Sequence, residues 1–205
     1  DMEKPGFDTF DVCEKTEEFL QDPERKVLLI KGGAGTGKTL SVQHLTKQLV
    51  GKDFGVPLYV RLSSVKNPFD YLATKSLQEY IKTISTAEVE LLKTSQTPLI
   101  LILDGYDEIL GTQNLYAMNE LGEWNTKVIV TCRNQYIDKM SDYSSLFAAD
   151  DFVLSEIVLV PFNPAQIEEY LQKFAALPGK TNEVLPGWED YQTQINSVAG
   201  LKQLV

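Results

Sequence analysis

The stretch VLLIKGGAGTGKT at residues 27–39 restricts the fold of this chain more than any other. Val27, Leu28, Leu29 and Ile30 form a β-branched and aliphatic run between charge and glycine, the pattern of a strand buried on both faces of a parallel sheet. The following Gly32-x-x-x-x-Gly37-Lys38-Thr39 matches the phosphate-binding loop pattern in full. Glycine lets such a backbone turn sharply and approach a phosphate closely. Successive N–H groups then form an anion nest at the start of the next helix, whose dipole also favours negative charge. Gly32, Gly33, Ala34, Gly35, Thr36, Gly37, Lys38, Thr39 and Leu40 are therefore the expected nucleotide contacts. Lys38 is expected to reach the β- and γ-phosphates, and the Thr39 hydroxyl to ligate Mg²⁺.

Around this motif the chain has 205 residues, enough for one large α/β domain or for a domain plus part of a second. Its 43% hydrophobic and 23% charged residues are those of an ordinary soluble globular protein. No apolar run approaches the roughly 20 residues of a membrane span, and DMEKPGFDTF at the start is not a signal peptide. A net charge of −10 and a pI near 4.6 argue against a broad nucleic-acid surface. Cys13 and Cys132 lie far apart and in no metal-type spacing, which indicates reduced thiols and a cytoplasmic setting, of the producing cell or of a host cell. His44 has no Ser or Cys motif beside it and reads as an ordinary helix residue.

Ahead of the loop, Phe10, Cys13, Glu17 and Leu20 recur at helical spacing and predict a helix over 10–20 ending near Asp22-Pro23, with the preceding chain expected near the nucleotide base. Behind it, Leu40, Val42, Leu45, Leu49 and Val50 predict the phosphate-binding helix over 39–50, stopped by Gly51. VPLYVRL at 56–62 reads as the second strand, with Pro57 at its start or at a sheet edge, and Ser63-Ser64 as the beginning of a loop. Helices are predicted over 68–84, 87–93 and 114–124, and strands at 99–103, 128–131 and 156–160, with short helices and loop over 134–150. Asn163 and Pro164 cap and open a helix through AQIEEYLQKFA. From Trp188 a helical pattern still runs at Val205, so a piece of a longer protein is expected. Five strands alternating with helices predict a mostly parallel sheet covered on both faces, with ligand at the carboxyl ends of the strands.

The aliphatic run Leu99–Leu103 leads straight into Asp104. An aspartate at that place can hold Mg²⁺ through its water shell, opposite Thr39. Hydrolysis also needs a group that orients or deprotonates water, and Asp107 and Glu108 lie within one turn. The segment LILDGYDEI resembles the extended Walker B of the NACHT family of signal-transduction NTPases, in which a small residue follows the magnesium aspartate and further acids come two positions on. GGAGTGKT, VIVTCR and LVPFNPAQIEEYLQKF resemble the corresponding NACHT segments in order, so the resemblance covers about residues 25–175. In plain AAA+ ATPases the residue after the metal aspartate is usually the catalytic glutamate, whereas here it is Gly105.

The resemblance implies a P-loop NTPase three-layer sandwich over residues 1–162 and the start of a small helical domain over 163–205. It also implies that Asp104 serves magnesium, that Asp107, with Glu108 beside it, positions water, and that Arg133 senses the γ-phosphate. The function that follows is an ATP/ADP-dependent switch with slow Mg²⁺-dependent hydrolysis, of the kind used in innate immunity. Self-association is then expected in the ATP state of the full-length protein, and protein partners through flanking domains. A AAA+-like motor or a P-loop kinase with true multiple turnover is the alternative, and a degenerate scaffold the third reading. Against a motor stands Gly105, and against a kinase the lack of a basic lid run.

Overall fold

The computed structural model describes residues 10–95, 98–147 and 154–175. The segment expected near the base, 1–9, and the pattern from Trp188 onward lie outside the described residues. Helix α1 (Val12–Gln21) starts where the Asp11 side chain accepts from the N–H groups of Cys13 at 2.6 Å and Glu14 at 3.3 Å. Strand β1 (Val27–Gly32), helix α2 (Lys38–Leu49) and strand β2 (Val56–Arg61) follow. Next come α3 (Leu72–Tyr80) and α4 (Thr86–Lys93), the latter opened by a capping box in which Ser85 and Glu88 bond each other's backbone N–H. Strand β3 (Leu99–Asp104), the single turn α5 (Leu115–Met118), strand β4 (Thr126–Arg133), the turn α6 (Asn134–Ile137) and strand β5 (Ser155–Leu159) complete the sheet region.

All five strands are parallel, in the order β2-β3-β4-β1-β5. β2 is an edge strand, which is where Pro57 can sit without removing an inner ladder bond. β3 is buried along its whole length, as its unbroken aliphatic sequence requires. Alternation along the strands splits the apolar side chains into two cores. Leu28, Ile30, Ile100, Ile102, Ile129 and Ile157 pack under α1 and α2. Leu29, Leu101, Leu103, Val128 and Val130 face Leu72 and Leu77 of α3, Val89 of α4 and Phe147. Helices on both faces of a five-stranded parallel sheet make the three-layer α/β sandwich that the strand count implied. Buried Lys127, second in the inner strand β4, donates to the carbonyls of Phe19, Asp22 and Arg25, in and just beyond the last turn of α1.

Several local expectations are corrected. The helix expected over 68–84 spans only Leu72–Tyr80, because Tyr71 takes a left-handed φ of 50° and breaks the run. The helix expected over 114–124 is cut by Glu120 at φ 51°, leaving α5 and a separate turn of 3₁₀ helix at Leu121–Glu123. Ser63-Ser64 belongs to another 3₁₀ turn, Leu62–Ser64. Leu40 and Val50, read as part of the apolar face of α2, are 72% and 68% exposed, whereas Val42, Leu45 and Leu49 are buried. In α1 the buried residues are Thr16, Phe19 and Leu20, and Phe10 is half exposed.

Both left-handed residues flank the same buried side chain. Asn119 accepts from Leu72 N–H at 2.8 Å and donates to the carbonyls of Pro68 and Leu115, each at 2.9 Å. Left-handed backbone costs a residue with a Cβ about 1–2 kcal/mol, and these three buried bonds offset it. Asn119→Ala is expected to destabilise the protein by about 2 kcal/mol, since it strands buried backbone groups. Urea unfolding measures this, and an unchanged midpoint removes Asn119 as the organiser of the two breaks.

The chain divides into two compact units, Asp1–Val160 and Pro161–Val205. In the second, helix α7 (Pro164–Ala175) opens at its proline. The Asn163 side chain accepts from Gln166 N–H, and the Gln166 side chain from Asn163 N–H, both at 2.9 Å.

Candidate functional site

A cleft of about 310 Å³ opens at the carboxyl ends of β1, β3 and β4, where the order of a doubly wound sheet reverses. Ala34, Gly35, Gly37, Lys38, Thr39 and Leu40 line one side. Asp104, Gly105, Asp107, Glu108, Thr131 and Arg133 line the other. Of the residues picked from sequence, Gly32, Gly33 and Thr36 do not line it, but they hold the loop together. Thr36 Oγ1 donates to the carbonyl of Gly33 at 3.0 Å, and Lys38 Nζ donates to the carbonyls of Gly32 at 3.0 Å and Gly33 at 2.7 Å. A Cβ on Gly32 would lie 2.7 Å from Thr36 Oγ1 and 2.9 Å from the Leu159 carbonyl, so only glycine lets loop and β5 pass this closely.

Helix α2 has no side-chain cap: its N-cap is Gly37, and the first amides of the helix face the cleft without a competing acceptor. Burial pushes the Lys38 amine below its ordinary value, with the charge of Asp107 opposing and that of Arg133 adding to the shift. One face of the cleft is thus a cationic, donor-rich cradle.

The opposite face is acidic and braced. Asp104 is 4% exposed. Its Oδ1 accepts from Thr131 Oγ1 at 2.7 Å and its Oδ2 from Tyr59 OH at 3.0 Å. Thr131 Oγ1 also accepts from Gly105 N–H at 2.8 Å, which ties the turn after β3 to β4. Gly105 adopts φ 87°, a left-handed turn that lifts the chain directly off the strand. Tyr106 then plugs into the core: its ring meets Phe147 edge-on at 4.7 Å, and its hydroxyl donates to the Gln113 carbonyl at 2.7 Å. This anchor sets Asp107 and Glu108 over the cleft. Asp107 Oδ1 accepts from Arg133 N–H at 2.9 Å and Oδ2 pairs with Arg133 Nε at 3.0 Å, its side chain only 7% exposed. Glu108 stands farther off, 3.9 Å from Arg133 Nη2. Burial, then the Asp107 charge, pushes the neighbouring Cys132 thiol up to about 12, and both Cys13 and Cys132 are free.

The donors present fit magnesium as it is held beside phosphates. Among the described residues no group of three His, Cys, Asp or Glu could enclose a metal ion by itself. One hydroxyl, Thr39, and one carboxylate with unused lone pairs, Asp104, suffice for an ion that takes its other ligands from phosphate and water. Sequence reading missed Tyr59 and Thr131, which brace Asp104 from 45 and 27 residues away along the chain, and Tyr106, which ties the turn after β3 to the Gln113 carbonyl seven residues on. The only local signal was their type, a hydroxyl at or near the end of a strand that feeds the cleft.

No curated protein matches this sequence. Among solved structures the fold is similar to Cdc6p from Pyrobaculum aerophilum, at 15% identity and a TM-score of 0.52, over 89% of this chain and 55% of that one. It is similar also to a chain of Drosophila ORC bound to DNA and Cdc6, at 9% identity and a TM-score of 0.53, over 80% of this chain and 30% of that one. This chain spans about half the length of the first and under a third of the second. At these identities the likeness concerns the fold, a P-loop NTPase sandwich. The family model of the NACHT domain matches residues 26–177, from the strand before the phosphate loop to past the end of α7, and it is to the NACHT family that this nucleotide-binding module belongs.

Proposed function

We propose that the chain is the core of a nucleotide-dependent signalling switch that binds ADP and ATP with Mg²⁺ and hydrolyses ATP slowly. The loop amides and Lys38 hold the phosphates, Thr39 and Asp104 place the metal, Asp107 with Glu108 positions water, and Arg133 senses the γ-phosphate. Bound Mg²⁺ supplies charge neutralisation between phosphates. Residues 163–205 begin a small helical domain, and self-association follows the nucleotide state of the full-length protein.

The observation that carries this reading is the clamp between Asp107 and Arg133. The acid nearest to a water-positioning role gives both carboxylate oxygens to the arginine nearest to a phosphate-sensing role. An acid held this way is poorly available to draw a proton from water, which favours slow hydrolysis. A terminal phosphate competes with Asp107 for the guanidinium, so the triphosphate and diphosphate states differ in a contact at the end of β4. Such a difference in affinity between two arrangements is what a switch requires.

The test is to titrate the chain with ADP and ATP by calorimetry and to follow phosphate release. Both nucleotides are expected to bind, with turnover well below the roughly 10 s⁻¹ median of enzymes. Fast multiple turnover, with or without a small phosphate acceptor, sinks the switch in favour of a motor or a kinase.

A further inference from the structure

The charges lining the cleft do not balance the ligand it fits. Lys38 and Arg133 stand among Asp104, Asp107 and Glu108, and Arg133 is already engaged by two of those acids. A magnesium-bound nucleoside triphosphate is itself a net anion, so this lining is short of positive charge for its terminal phosphate.

An uncommitted arginine stands one strand away. Arg61 ends β2 in register with Asp104 on β3. Neighbouring strands lie about 5 Å apart, and residues in register share a face of the sheet. That face is the one carrying the phosphate loop, because Tyr59, two residues earlier on β2, bonds Asp104 and also receives a hydrogen bond from Gln43 of α2 at 3.4 Å. Arg61 is exposed, and its guanidinium makes no ion pair or hydrogen bond with another described residue. Because β2 is the edge strand, the register puts Arg61 on the outer side of Asp104. Arg61, Asp104 and Thr131 thus form a row across β2, β3 and β4, with the cation at the open end.

We propose that Arg61 is a second phosphate-directed arginine of this site, whose guanidinium binds the terminal phosphate of a nucleoside triphosphate held by the loop and so favours triphosphate over diphosphate. This rests on the nucleotide reading above. The planar fork of an arginine suits two phosphate oxygens at once, and a site at the sheet edge lets it approach without burying its charge beforehand. Lys66, the next exposed cation along the same loop, has no strand register with the cleft.

Calorimetric titration with Mg²⁺ and either ADP or a non-hydrolysable ATP analogue tests the assignment on the whole chain. Arg61→Gln is expected to weaken the triphosphate analogue about tenfold and ADP less than about twofold. Arg61→Lys keeps the charge without the fork and is expected to fall between, while Lys66→Gln matches the wild type. The idea is overturned by an equal loss for both nucleotides, by no loss, or by the same loss in Lys66→Gln. Unchanged unfolding midpoints separate a lost contact from a damaged fold. If the wild-type chain binds neither nucleotide, the nucleotide reading itself fails, whereas wild-type binding with an indifferent Arg61 removes this assignment alone.

Discussion

Lys38→Ala is expected to abolish nucleotide binding, with affinity for ADP and ATP falling at least about 100-fold in a calorimetric titration. Two effects add. Among the described residues Lys38 is the one lysine that lines the cleft, and charge-assisted bonds to phosphate are roughly twice as strong as neutral ones. Lys38 also holds the carbonyls of Gly32 and Gly33, so its loss frees the loop that presents the amides. Because it is partly exposed and packs against loop backbone rather than core, the unfolding midpoint should move little. Equal binding by the variant and the wild type would remove the phosphate-loop assignment.

Replacing Asp107 separates binding from chemistry. Asp107→Ala is expected to keep nucleotide affinity within about threefold and to lower ATP hydrolysis about 100-fold or more, the usual contribution of a positioned acid or base. The cradle of loop amides does not involve this residue, whereas the clamp on Arg133 does. Asp107→Asn keeps an oxygen for Arg133 N–H but cannot take a proton, so it should lose hydrolysis as well. Faster hydrolysis in either variant would show that Asp107 restrains Arg133 rather than positioning water, and the role would pass to Glu108.

Much of this was legible along the chain wherever one segment carries its own physical signal. The phosphate loop follows from a backbone that needs glycines at fixed spacing. β3 follows from an unbroken aliphatic run, which only a strand covered on both faces can bury. Pro57 limited β2 to a strand start or a sheet edge, of which the strand order selects the edge, and Asn163-Pro164 marked the start of α7, because a missing N–H and a capping side chain act within a few residues. Tyr71 and Glu120 carried no such mark: nothing local asks them to take left-handed backbone. The bonds of Asn119, which reaches residues 47 and 51 positions away, do.

The sequence by itself determined the nucleotide-binding class and marked the residues proposed here to meet phosphate and metal, since glycine freedom, helix-start amides and a terminal Asp after an aliphatic strand are local properties. Tertiary structure alone decided which side chains brace them. The order β2-β3-β4-β1-β5 sets Tyr59, Thr131 and Arg61 beside Asp104, and it brings Arg133 to Asp107 from 26 residues away. Strand order arises from how helices cover both faces of the sheet, a balance of burial over the whole chain that no short stretch encodes.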